Sequence, residues 1–235
     1  MNLIITESCV GCTRCVPYCP SGAISLGKDK KAHIDRHKCI ECAVCFNNAV
    51  CPVNAFQMEE LEFPRSVREV FATVYKAHKD TNVPGRGTEE MKTNDVTGRI
   101  DNGEIGFSIE IGRPGVGARL GIAEQFTIPL AKIGVEFEKA SPLTAMLIDD
   151  EGHLREDIKN ENVLSAIIEF KVPYEKVIDV LEIIKKLDKE ADTVFSVGVI
   201  SRIMKNGDIP VMDLLIDNDF SVRPNAKINV GLGRT

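Results

Sequence analysis

Cys9-Val10-Gly11-Cys12-Thr13-Arg14-Cys15-Val16-Pro17-Tyr18-Cys19-Pro20, and then Cys39-Ile40-Glu41-Cys42-Ala43-Val44-Cys45-Phe46-Asn47-Asn48-Ala49-Val50-Cys51-Pro52, decide how the first quarter of this chain folds. All eight cysteines lie within the first 51 residues and none in the remaining 184. A thiolate is a soft ligand, and iron in a cubane cluster takes four of them converging on a small volume. Three cysteines at three-residue spacing let one tight loop wrap three corners of such a cage, with the fourth ligand supplied from elsewhere in the fold. Two zinc ions would also use eight cysteines, but zinc modules usually present paired C-x2-C rather than triplets that end in Cys-Pro. A disulfide framework suits short secreted chains. Met1-Asn2-Leu3-Ile4-Ile5 has no basic segment and no long apolar run behind it, so no secretory signal is expected.

The two runs are an internal repeat of period 30, with Cys9 matching Cys39, Cys12 matching Cys42 and Cys15 matching Cys45. Each closes alike, Cys19-Pro20-Ser21-Gly22-Ala23-Ile24 against Cys51-Pro52-Val53-Asn54-Ala55-Phe56. This stretch, residues 1–60, resembles the bacterial-type ferredoxins with two [4Fe-4S] clusters. The resemblance implies that Cys9, Cys12, Cys15 and Cys51 hold one cluster, and Cys39, Cys42, Cys45 and Cys19 the other. The fourth cysteine of each run thus serves the opposite cluster. It also implies low-potential electron transfer. Cysteine at both middle positions, Cys12 and Cys42, argues against a three-iron form.

The second run departs from the family spacing, with x5 rather than x3 before its last cysteine. At about 100° per residue, Cys15 and Cys19 lie about 40° apart on a helix, whereas Cys45 and Cys51 lie about 240° apart. A loop or bulge is expected there. His33 and His37, which flank the second run, read as surface residues of a connecting hairpin.

Length and charge set the frame. At 235 residues, two small domains are favoured by the cysteine boundary. Residues 1–60 carry six Lys/Arg and six Asp/Glu, so the whole net charge of −6 sits beyond them. Ferredoxins of the resembling family that act as free carriers are usually acidic, so a neutral module suits a docked role. No basic stripe and no tryptophan points to nucleic acid, and no apolar run approaches the roughly 18 residues of a bilayer span. We expect a cytoplasmic protein of a reducing, oxygen-poor compartment.

Residues 61–103 read as a helix and a polar linker. Ser66-x-x-Glu69 suggests a capping box. Val67, Val70, Phe71, Val74 and Tyr75 then fall on one face of an amphipathic helix from about 66 to 79, with His78 at its end. Pro84 to Asp95 reads as a solvated linker or a binding loop.

Residues 104–235 read as an α+β domain: a two-layer sandwich of split βαβ type (β-α-β-β-α-β) with an added hairpin. Expected elements are a strand over 105–111, a helix over about 116–137 carrying Pro129, and a short apolar run at 143–148. A strand over 163–172 should alternate Ile168, Phe170 and Val172. Pro173 should open a helix with Tyr174, Val177, Ile178, Leu181, Ile184 and Leu187 on one face. A strand over 193–203, an Asn206-Gly207 turn and a returning strand over 211–217 should follow, with a further strand at 228–231. Such folds serve docking, ligand binding or regulation, an inference from fold alone.

A second candidate site is the turn Gly112-Arg113-Pro114-Gly115-Val116-Gly117-Ala118-Arg119-Leu120-Gly121. Gly112, Gly115 and Gly117 would bare backbone N–H groups, and Arg113 and Arg119 would add forked donors for a small anionic ligand. As a dinucleotide fingerprint it is irregular, with its last glycine one residue late. The domain has no cysteine and a single histidine, His153, so it offers no nucleophile–base pair. No catalytic residue is assigned, and Glu89/Glu90 and Asp149/Asp150 read as solvated acids. The chain therefore reads as an electron-transfer component of an oxidoreductase complex with redox partner proteins. Alternatives are an iron–sulfur subunit of a reductase or sulfur-handling enzyme whose C-terminal domain binds substrate, and a redox sensor.

Overall fold

A computed structural model of the chain describes residues 2–49, 51–72, 77, 82, 98–147 and 149–222. The N-terminal part is built on two short antiparallel pairs. Strand β1 (Asn2–Ile5) pairs with β4 (Phe56–Glu59), and β2 (Ile24–Leu26) with β3 (Ala32–Ile34). Between them run the cysteine loops, the first ending in a 3₁₀ turn at Val16–Tyr18 and the second in a helix at Val44–Asn48. Leu3, Ile24, Ala32, Ala49, Cys15 and Cys45 form a small core of their own. So few apolar side chains give little burial energy, and metal centres must supply part of the stability of such a module.

The expected break after Cys45 is present. The Val44–Asn48 helix ends three residues beyond that cysteine, and Ala49 is extended (φ −82°, ψ 102°). The capping box is not made. Arg65 stands at the N-cap, no side chain caps the Ser66–Val70 helix, and Ser66 is its first residue. Val67 and Phe71 are buried in the core of the C-terminal part. Val74, Tyr75, His78 and the segment from Pro84 to Asp95 lie outside the described residues.

In the C-terminal part a four-stranded antiparallel sheet runs in the order β10 (Phe195–Ile200), β5 (Glu104–Ile111), β9 (Ala166–Pro173), β7 (Glu136–Phe137). A helix at Glu124–Lys132 joins β5 to β7, and one at Val177–Glu190 joins β9 to β10. Alternation sets the faces. Ile105, Phe107, Ile109 and Ile111 are buried along β5, opposite Val172, Phe170, Ile168 and Ala166 of β9. The Phe107 and Phe170 rings stack at 5.2 Å. Val177, Val180, Leu181, Ile184 and Leu187 form the buried stripe of the longer helix, while Ile178, expected in that stripe, is exposed.

Two expectations are corrected. The helix expected over 116–137 is confined to Glu124–Lys132. The residues before it form a two-residue strand, β6 (Ala118–Arg119), paired with β8 (Asn162–Val163), and a 3₁₀ turn at Leu120–Ala123. Glycine at 117 and 121 withholds helix propensity there, and the N–H of Gly121 is taken by the Lys159 carbonyl. The added hairpin is also absent: Val211–Asp217 is a helix, not a returning strand. Val211 and Leu215, one turn apart, are its buried residues, and Pro210 stands at its N-cap. The strand expected at 228–231 lies outside the described residues.

Candidate metal centres

All eight cysteines are free of disulfides. Cys9, Cys12, Cys15 and Cys51 line one pocket together with Ile5, Ala32, Val53 and Phe56. In the second group, Cys45 lies within electrostatic reach of Cys19, Cys42 and Cys39. The chain thus brings the last cysteine of each run to the first three of the other.

Backbone donors point at the sulfurs. The N–H groups of Gly11 and Ala32 donate to Cys9 Sγ at 3.4 Å each. Ala23 donates to Cys19 Sγ at 3.1 Å and Ala55 to Cys51 Sγ at 3.3 Å, the same bond at equivalent places in the repeat. Such donors stabilise sulfur that carries negative charge. Burial works the other way. It pushes the Cys45 thiol up to about 12, helped by the negative charge of Cys19, Cys42 and Cys39. Burial and then the Glu41 carboxylate push Cys39 up to about 11. Cys15 and Cys42 are raised as well, first by burial. Four thiols brought together, with backbone N–H groups aimed at the sulfurs of Cys9, Cys19 and Cys51, form a donor set that a multiply charged iron–sulfur core completes. The residues fit the group.

Both runs turn through left-handed backbone at the same step, Gly11 at φ +65° and Glu41 at φ +57°. Glycine is required at the first, where a Cβ would stand 1.9 Å from the Lys30 carbonyl oxygen. At the second a glutamate accepts the conformation. Its side chain is 1% exposed and is held by Arg65, whose Nε and Nη2 donate to Glu41 Oε1 at 3.0 and 2.6 Å. Arg65 also donates to Asn2 Oδ1 at 2.9 Å. Arg68 is buried beside the second loop. Its Nη1 donates to the carbonyls of Arg36 and Cys39 at 2.7 Å each, and its Nε donates to Glu161. Sequence reading missed Arg65, Arg68 and Glu161. The one signal was Glu41 itself, a charge where the repeat carries glycine.

The sequence of this module matches a known family. Its model, a 4Fe-4S dicluster domain, covers residues 8–55. Ferredoxin-3 of Chlorobaculum tepidum is 45% identical over 56 residues, which span 89% of that protein and 22% of this chain. The chain belongs to the dicluster ferredoxins. Two [4Fe-4S] clusters are the cofactors of that ferredoxin module. Ferredoxin YfhL of Escherichia coli is 41% identical over 51 residues, 22% of this chain and 58% of that protein. Pyruvate synthase subunit PorD of Methanocaldococcus jannaschii is 40% identical over 53 residues, 23% of this chain and 59% of that subunit. The ferredoxin chain therefore spans a little over half the length of these two relatives.

None of the remaining candidate positions lines the pocket of Cys9, Cys12, Cys15 and Cys51. In the Gly112–Gly121 turn, the N–H groups of Gly112 and Gly117 donate to the carbonyls of Val194 and Leu164 at 2.8 and 3.0 Å. Gly115 and Arg119 are exposed, and Arg113 pairs with Glu110 at 3.5 Å. His33 pairs with Asp29 on the surface, His37 is exposed, and Asp149 and Asp150 are exposed. Among the described residues no helix is long and apolar enough to cross a membrane.

Proposed function

We propose that this ferredoxin carries low-potential electrons in the cytoplasm, to or within an anaerobic oxidoreductase complex. Cys9, Cys12, Cys15 and Cys51 hold the first cluster, and Cys39, Cys42, Cys45 and Cys19 the second. Residues 1–60 are the redox module, 61–103 the connection, and 104–235 the domain that docks the module on its partner. The observation that carries the reading is the meeting of cysteines in two groups of four, each drawn from both runs. When bound, the clusters supply one-electron chemistry with little ligand rearrangement. The chain's part is to set their surroundings. Backbone N–H groups on Cys9, Cys19 and Cys51 stabilise negative sulfur, while apolar walls of Ile5, Ala32 and Phe56 limit water.

Two relatives lend support through what they are called. One is the pyruvate synthase subunit. The other is a subunit of an ion-translocating oxidoreductase complex from Methanosarcina acetivorans, 40% identical over 58 residues, 25% of this chain and 21% of that subunit. The second reading, a protein whose C-terminal domain binds an anionic substrate at Arg113 and Arg119, has its support in the exposure of Arg119. The docking reading accounts for more, because Gly112 and Gly117 spend their N–H groups inside the fold.

The test is anaerobic purification followed by iron and sulfide analysis, reduction with dithionite, and Cys51→Ala. Eight irons, reversible bleaching, and selective perturbation of the cluster of Cys9, Cys12 and Cys15 are expected. Perturbation of the Cys39 group instead would refute the crossed ligation. Zinc in place of iron would refute the function.

A further inference from the structure

The repeat provides its own control. Val10 and Ile40 occupy the same position, directly after the first cysteine of each run, yet Val10 is 63% exposed and Ile40 only 2%. Gly11 is half-buried, while Glu41 in the same place is buried. Cys12 is exposed, while Cys42 is half-buried. Two loops of the same spacing thus differ in their access to water.

What covers the second loop comes from beyond the ferredoxin module. Arg68, 6% exposed, binds the carbonyls of Arg36 and Cys39 and is held from the far side by Glu161. Asn162, the next residue and the first of β8, donates from Nδ2 to the His37 carbonyl at 2.6 Å. The Gly112–Gly121 turn reaches the same place, where a Cβ on Gly117 would lie 3.9 Å from Ile40 Cγ2. The carbonyls of residues 36, 37 and 39 are thereby all satisfied from outside the loop. A cation that gives both carbonyls its Nη1 and a buried carboxylate its Nε fixes a loop more firmly than neutral hydrogen bonds do.

We infer that Arg68, Glu161 and Asn162 are positioning residues for the second cluster: they clamp the Cys39 loop and seal it from water, so the two clusters differ in how readily they give up iron. This rests on reading Cys39, Cys42 and Cys45 as ligands. Iron leaves when a thiolate lets go and water or a chelator takes its place, and both steps need the loop to open. The first loop is free to open, and the second opens only if the C-terminal clamp releases.

The test uses the full chain, purified without air. The protein is held reduced with excess dithionite, a ferrous chelator is added, iron release is timed, and freed cysteines are alkylated at intervals and mapped by mass spectrometry. Expected is a fast phase of four irons that exposes Cys9, Cys12, Cys15 and Cys51, then a slow phase from the other group. Arg68→Lys keeps the charge but cannot hold the two carbonyls and Glu161 from separate nitrogens as Nη1 and Nε do. It and Glu161→Gln should speed the slow phase by about tenfold, the scale of one hydrogen bond to a charged group. Both should leave the fast phase unchanged. Asn162→Ala, which removes one hydrogen bond and no charge, should speed the slow phase less, and it carries the test if the Arg68 variant does not fold. A weakened fold without a positioning role would speed both phases together, and that result overturns the inference. So does a single phase, or earlier release of the Cys39 group. Fewer than eight irons at the outset sinks the two-cluster reading and the inference with it, whereas eight irons released in one phase sinks the inference alone.

Discussion

Glu41 is the residue at which a single substitution separates two energies. It sits in left-handed backbone, where a Cβ costs about 1–2 kcal/mol, and its buried carboxylate is tied to Arg65. Removing one partner of a buried pair costs about 3–5 kcal/mol, because the other is left without its counter-charge. The two partners are not equally placed. Arg65 has a side chain 27% exposed and a second acceptor in Asn2, whereas the Glu41 side chain is 1% exposed. Glu41→Ala therefore falls near the lower end, about 3 kcal/mol, and Arg65→Met, which strands a buried carboxylate, near the upper end, about 5 kcal/mol. Glu41→Gly loses the same ion pair but relieves the backbone, as Gly11 does in the first run. It should be milder than Glu41→Ala by about 1 kcal/mol. The assay is urea unfolding of the iron-loaded protein under argon, followed by the visible absorbance of the clusters. If Glu41→Gly proves as damaging as Glu41→Ala, or worse, the left-handed strain is not there and the reasoning fails. If Arg65→Met proves milder than Glu41→Ala, the burial asymmetry has been misjudged.

Other expectations follow from the same description. Phe170→Ala removes a ring that stacks on Phe107 and meets Phe137 edge-on at 6.3 Å, and should cost about 3–5 kcal/mol in thermal unfolding of the C-terminal part. Gly11→Ala would set a methyl against the Lys30 carbonyl, and iron content of the purified variant should fall at the first cluster alone. The Asp149 carboxyl is held below its ordinary 3.8, chiefly by the backbone N–H of His153 and then by the imidazole. A lowered folded-state value stabilises the fold above the ordinary pKa, and that contribution disappears as pH falls through the folded value. NMR titration should put Asp149 below 3.8, and His153→Ala should leave part of the shift, since the backbone donor remains. Iron removal by chelator should unfold residues 1–60 while the sheet of β5, β7, β9 and β10 keeps its circular dichroism, because the apolar core of the sheet owes nothing to metal.

How much of this was legible without coordinates varies with the range of the forces involved. Cysteine spacing named the module because three ligands three residues apart define a loop by themselves. Alternation of Ile105, Phe107, Ile109 and Ile111 announced a strand because the pattern has period two within eight residues. The run Val211–Asp217 misled because a short apolar stretch satisfies both periods, and burial of Val211 and Leu215 selected the helix. The Gly112–Gly121 turn misled in another way: its glycines suit an anion cradle, but neighbouring carbonyls took the N–H groups of Gly112 and Gly117 first.

By itself the amino-acid order determined the cluster-bearing module and the alternation of strands with helices, since each is written in windows of a few residues. Only the tertiary structure decided that the two loops of the repeat have different surroundings. Arg68 and Glu161 meet across 93 positions of chain, and no local period records a contact between residues so far apart. That contact exists because the C-terminal part brings the start of β8, paired with β6, against the Cys39 loop, where a buried cation needs both its carbonyls and its carboxylate.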